Sequence, residues 1–196
     1  EPSVLSQHHR CDEDSTGEPP ADLSLSSSRR NLVAFYSLSG HTRVLANQIR
    51  LAGAGDLEEI SEPDSRLGFP GEARALIDSM LRRAPTIRRP EYDPAKYDVL
   101  LLGGPVWSGR IAAPVRTYAR SYGARARSVA FFCTYDSDGA HSAMQELATL
   151  CGRHPEAVLA VPAHALVSGG HEEELHRFIR QVVAAPMKPG KVRSPS

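Results

Sequence analysis

Apolar runs and helical patterns alternate along the chain. NLVAFYS (31–37) is an apolar run, and HTRVLANQIRLAG (41–53) repeats apolar residues at helical spacing through Val44, Leu45, Ile49 and Ala52 before Gly53. LEEIS (57–61) is short and half polar, and GEARALIDSMLRR (71–83) reads as a helix. DVLLLGG (98–104) is apolar throughout, and APVRTYARSY (113–122) predicts a helix with Pro114 in its first turn and Gly123 beyond its end. SVAFFCT (128–134) is a third apolar run, followed by helical AHSAMQELATLCG (140–152). AVLAVPA (157–163) and EEELHRFIRQVVA (172–184) complete the pattern, the three leading glutamates suiting the positive end of a helix dipole.

Five strand–helix repeats predict an α/β fold, a single doubly wound domain with a parallel sheet and helices on both faces. The uniformly apolar runs suit central parallel strands. LEEIS is polar enough for an edge, and Pro162 cannot donate to a ladder, which moves the last strand to the other edge. The strand order expected is 2-1-3-4-5.

Composition changes the picture only at the ends. Residues 1–30 are rich in Ser, Pro and acids, with little apolar surface to offset ordering entropy, and are expected to form a disordered tail. Residues 185–196 are expected to form a second tail, which leaves 31–184 as the domain. His8, His9 and Cys11 fall in the first tail, where no rigid frame fixes a metal geometry, so no metal site is expected. With 23 Lys plus Arg and 23 Asp plus Glu the formal net charge is zero, which gives no pull toward nucleic acid or an acidic membrane. No apolar run approaches the ~20 residues that span a bilayer. Three cysteines without CxxC spacing argue against a disulfide framework, and the expected location is cytoplasmic.

In a sheet of this order ligands bind beyond the carboxyl ends of the strands, where the strand order reverses. Three loops lie there. The first, SLSGHT (37–42), sets small hydroxyl residues at a helix start, with Gly40 letting the backbone approach a ligand. It is either a helix cap or a phosphate cradle, and it lacks the lysine of a nucleoside triphosphate loop. The second, GGPVWSGRIAAP (103–114), holds the only tryptophan, Trp107. The third, CTYDSDGAH (133–141), brings Tyr135 beside Asp136 and Asp138, which otherwise suit a solvated turn. Together they describe a site for a flat aromatic group joined to a phosphate.

These segments resemble the flavodoxin family. YSLSGHT resembles its phosphate loop, YDVLLLGGPVWSGRIAAPVRTYA (97–119) its third strand and the loop against the flavin, and SVAFFCTYDSDGAHSAMQEL (128–147) its fourth strand and second flavin loop. The resemblance implies a flavodoxin-like fold and bound FMN. It implies that Ser37, Leu38, Ser39, Gly40, His41 and Thr42 wrap the phosphate. Pro105, Val106, Trp107, Ser108 and Gly109 would line one side of the isoalloxazine ring. Thr134, Tyr135, Asp136 and Gly139 would line the other side and the pyrimidine edge.

The expected function is an FMN-binding redox protein that transfers electrons to a redox partner protein. The alternative is a reductase that takes hydride from NAD(P)H and passes electrons to a quinone. The absence of strong negative charge weakens the carrier reading, since steering to basic partners relies on it. Arg110, Arg116, Arg120, Arg125 and Arg127 form either a basic face or an ordinary solvated helix face. A cofactor-free binding module of the same fold stays open. A phosphoacceptor receiver does not fit, because Tyr36 and Ser37 follow the first strand and Gly104 and Pro105 the third, where acids are needed. Cys133, at a strand end, reads as a buried, inert thiol.

Overall fold

The computed structural model of the protein describes residues 29–63 and 84–184. The expected helix at 71–83 and the two tails, apart from Arg29 and Arg30, lie outside the described residues.

Six strands form the sheet: β1 (Asn31–Phe35), β2 (Asp56–Glu59), β3 (Val99–Trp107), β4 (Arg110–Ile111), β5 (Ser128–Tyr135) and β6 (Val158–Pro162). The order is β2-β1-β3-β5-β6, with every pair on this path parallel, and β4 adds to β3 as an antiparallel hairpin arm. Apart from β4 this is the order expected from the sequence. The helices are α1 (His41–Ile49), α2 (Ala113–Tyr122), α3 (Ala140–Cys151), α4 (Ala163–Ser168) and α5 (Glu172–Ala184).

Burial follows the pattern of the sequence. All five residues of β1 and the first eight of β3 are buried, as central parallel strands require. Alternate side chains leave these strands on opposite faces. Leu32, Leu100, Leu102 and Phe131 join Val115, Tyr118 and Leu147 of α2 and α3 in one core layer. Val33, Phe35, Leu101 and Phe132 join Leu45 and Ile49 of α1 and Phe178 of α5 in the other. The edge strands are half polar or half exposed, β2 throughout and β6 at alternate residues.

Three departures from the sequence pattern bear on the site. β3 runs on to Trp107 instead of stopping at Gly104. Pro105 is tolerated there because β1 has already ended opposite Gly103, so the proline faces no ladder partner on that side. The two-residue turn Ser108–Gly109 then folds the chain back as β4. Finally, α4 is an added short helix directly after β6, before the expected last helix.

Candidate functional site

The first loop is seated by backbone contacts. The Tyr36 N–H donates to Gly103 O at 3.1 Å, which fixes the loop against β3. Ser37 is buried, and its Oγ accepts the N–H groups of Gly40 and Arg43, both at 3.2 Å. Two N–H groups aimed at this oxygen turn its own hydrogen outward, so Ser37 is left to donate. Gly40 takes φ +96° to turn the chain into α1. The first turn of α1 leaves the N–H groups of His41 and Thr42 without intrahelical partners, and the dipole adds partial positive charge. Leu38 and His41 are half-buried and Ser39 is exposed, its Oγ meeting His41 Nδ1 at 3.3 Å.

Thr42 faces inward. It is 1% exposed, and its Oγ1 lies 2.8 Å from Thr134 Oγ1, itself 2% exposed. This hydrogen bond ties the first loop to the end of β5, where the third loop begins.

The second loop is a hairpin. Ser108 (φ +48°) and Gly109 (φ +74°) are both left-handed, the combination a two-residue turn needs to match the strand twist. Val106 is buried opposite Ile111, and Ala112 N–H donates to Pro105 O at 3.0 Å. Trp107 is half-buried and stands edge-on to Tyr36, with ring centroids 6.4 Å apart and planes at 87°. Arg110 reaches Glu146 of α3 at 2.8 Å and ties the hairpin to the helix that follows the third loop.

The third loop leaves β5 at half-buried Tyr135, passes exposed Asp136, Ser137 and Asp138, and enters α3 at Gly139, φ +82°. A Cβ on Gly139 would lie 2.3 Å from Gly109 Cα, so the hairpin turn and the third loop meet backbone to backbone. All fifteen residues picked out by the sequence lie at one end of the sheet, in the turns after β1, β3 and β5, the last residues of β3 and β5, and the start of α1. Tyr36 belongs with them and was missed: the sequence reads it as the end of an apolar run, and only the ring contact with Trp107 reveals it.

Burial keeps two ionisable groups near the loops neutral. Burial, with Glu62 and Glu59 adding to it, pushes the Tyr36 hydroxyl up to about 12, so it stays neutral. Burial likewise pushes the Cys133 thiol up to about 12, which removes it as a nucleophile at neutral pH. Arg43 is held by Glu59 through two hydrogen bonds at 3.0 and 2.6 Å. No group of three or more His, Cys, Asp or Glu suited to a metal occurs among the described residues.

The five arginines do not make one face. Arg116 is 4% exposed, and burial, helped by Arg110, lowers its pKa. Arg125 pairs with Asp93 and Arg127 with Asp98, near the amino ends of the strands. The helical spacing that brings Arg116 into line with Arg120 turns it into the core, because α2 buries Val115, Tyr118 and Ala119 on the same side. Among the described residues no helix is long and apolar enough to cross a membrane.

Comparison with known proteins gives the same fold. The chain is similar to a flavoprotein from Lactobacillus acidophilus NCFM solved in complex with FMN, at 23% identity and TM-score 0.62, with 77% of this chain and 99% of that one covered. A protein from Bacteroides uniformis ATCC 8492 aligns at 21% identity and TM-score 0.62, covering 78% of this chain and 98% of that one. One from Bacteroides eggerthii DSM 20697 aligns at 17% identity and TM-score 0.60, covering 81% and 99%. None of the curated proteins compared matches the chain. The flavodoxin family model matches residues 30–182, well over half of the sequence. The chain, with its doubly wound sheet and three loops at the carboxyl ends of β1, β3 and β5, belongs to the flavodoxin family.

Proposed function

We propose that the protein binds FMN non-covalently at these three loops and transfers electrons through it. The observation that carries this reading is the Ser37 loop: a buried hydroxyl left to donate, beside the open N–H groups of a helix start. That donor set, neutral and without lysine, suits a monophosphate, and the aromatic-bearing loops beside it suit a flat ring. The Lactobacillus acidophilus relative, which holds FMN, supports the same reading.

In this assignment Ser37, Leu38, Ser39, Gly40, His41 and Thr42 surround the phosphate. Ser37 donates through its hydroxyl, and the other residues offer mainly backbone N–H groups. Pro105, Val106, Trp107, Ser108 and Gly109 cover one side of the ring, with Trp107 held by Tyr36. Thr134, Tyr135, Asp136 and Gly139 cover the other side and the pyrimidine edge. Bound FMN supplies the electron chemistry, and the chain's residues bind it, orient it and keep water from one side. The domain is assigned to residues 31–184, in line with the family match.

Titrating the purified chain with FMN, followed by quenching of flavin fluorescence, tests the binding. Anaerobic addition of NADPH to the loaded protein tests the role. Bleaching without a second protein identifies an NAD(P)H-dependent reductase, and no bleaching identifies a carrier that needs a redox partner protein.

A further inference from the structure

The Thr42–Thr134 hydrogen bond leaves one hydrogen over. Thr42 stands in the first turn of α1, and Thr134 is the last residue but one of β5. Ala130 and Phe132 of β5 face the core layer that holds Leu45, Ala46 and Ile49 of α1, and alternation turns Thr134 to the same side. The two hydroxyl oxygens lie 2.8 Å apart in residues only 1% and 2% exposed. Each hydroxyl carries one hydrogen, and the bond between them uses one of the two. Among the described residues neither hydroxyl has a further hydrogen-bond partner, so the second hydrogen has no acceptor there. Buried donors without an acceptor are uncommon in folded proteins, and this one points to a bound group.

The order of the pair follows from its surroundings. The open N–H groups of His41 and Thr42 and the positive end of the α1 dipole favour an anion at the start of the helix. An anion accepts hydrogen bonds and donates none. The hydrogen left over therefore belongs to the hydroxyl beside those N–H groups, that of Thr42. Thr134 gives its own hydrogen to Thr42 Oγ1.

We propose that Thr134 is a positioning residue for the phosphate of FMN, holding the Thr42 hydroxyl with its hydrogen aimed at that group. The proposal rests on the FMN reading above. In that reading Thr134 is grouped with the residues around the ring, yet its side chain meets α1 and acts at the phosphate end, through Thr42. Without the Thr134 hydroxyl, that of Thr42 is free to turn back onto the Leu38 carbonyl, four residues earlier in the chain, and the phosphate loses a donor.

Fluorescence titration of the full chain with FMN and with riboflavin tests this. Thr134→Val and Thr134→Ala remove the hydroxyl in two shapes, Thr134→Ser keeps it, and Thr42→Val is made alone and together with Thr134→Val. The expected FMN affinity is about tenfold lower for Thr42→Val, about fivefold lower for Thr134→Val and Thr134→Ala, and about tenfold lower for the double variant, because Thr134 acts only through Thr42. Riboflavin affinity stays the same throughout, and Thr134→Ser binds FMN like the unaltered protein. Losses that multiply in the double variant overturn the proposal. So does an equal loss for riboflavin, which sets Thr134 against the ring. A larger loss for Thr134→Val than for Thr42→Val reverses the order of the pair and also overturns it. Full FMN affinity in Thr134→Val defeats this proposal alone, whereas an unaltered protein that binds neither flavin defeats the FMN reading and the proposal with it.

Discussion

The two ends of the sheet treat their polar groups in opposite ways. At the amino ends of the strands, arginines are paired within the chain, although the buried Asn31 side chain at the start of β1 has no hydrogen-bond partner among the described residues. Arg29 pairs with Glu156, Arg125 with Asp93 and Arg127 with Asp98, and Arg153 donates to the carbonyls of Arg127 and Ala124. At the carboxyl ends, the loops turn donors outward: the Ser37 hydroxyl and the N–H groups at the start of α1. The chain's own polar partners hold one end together. The other end, in the function proposed above, meets the FMN phosphate with those donors. Ion pairs also occur at the carboxyl end, but Arg43–Glu59 and Arg110–Glu146 fasten the flanks of the site and leave its centre open.

The contrast predicts different consequences for mutations at the two ends. The largest loss of stability is expected for Glu156→Ala, which removes the carboxylate paired with the buried Arg29 and leaves it the Val182 carbonyl; urea unfolding should show about 3 kcal/mol lost, with FMN affinity of the folded protein unchanged. Gly139→Ala comes next. It forces a side chain into a left-handed backbone position and against Gly109, at about 2 kcal/mol of strain, so it should lower both the melting temperature and FMN affinity. Ser37→Ala should weaken FMN about tenfold, the ~1.4 kcal/mol of one hydrogen bond to a charged group, while riboflavin binding stays the same. The smallest effect is expected for Arg125→Ala. Its pair with Asp93 is exposed at 48% and 35%, so the loss should stay below ~1 kcal/mol in the same urea experiment, with no change in flavin binding.

Much of this contrast can be read in the sequence, because it follows from where strands end. The uniformly apolar runs around Val33, Leu101 and Phe131 mark the central strands, and the loops after them mark the site. The polar β2 and the proline in β6 mark the edges. The hairpin was harder to see. Trp-Ser-Gly-Arg carries the signal of a two-residue turn, but Pro105 argues against a strand that continues to Trp107. That argument fails only because β1 stops two residues earlier, opposite Gly103, and β1's length relative to β3 is set by tertiary packing. The Thr42–Thr134 hydrogen bond was hidden for a similar reason: the residues are 92 positions apart, and only the parallel register brings them together. Arg116 shows the converse. The sequence reading sets it on an exposed helix face with Arg120, whereas the α2 packing buries it beside Val115 and Ala119.

Comparing FMN with riboflavin on the purified chain tests most directly whether the open end of the sheet is a flavin site read through its phosphate. Fluorescence titration should show FMN bound and quenched, with riboflavin about 100-fold weaker, the worth of about two charge-assisted hydrogen bonds at the Ser37 loop. Equal affinity for the two flavins would contradict the phosphate cradle, and no binding of either would contradict the site itself.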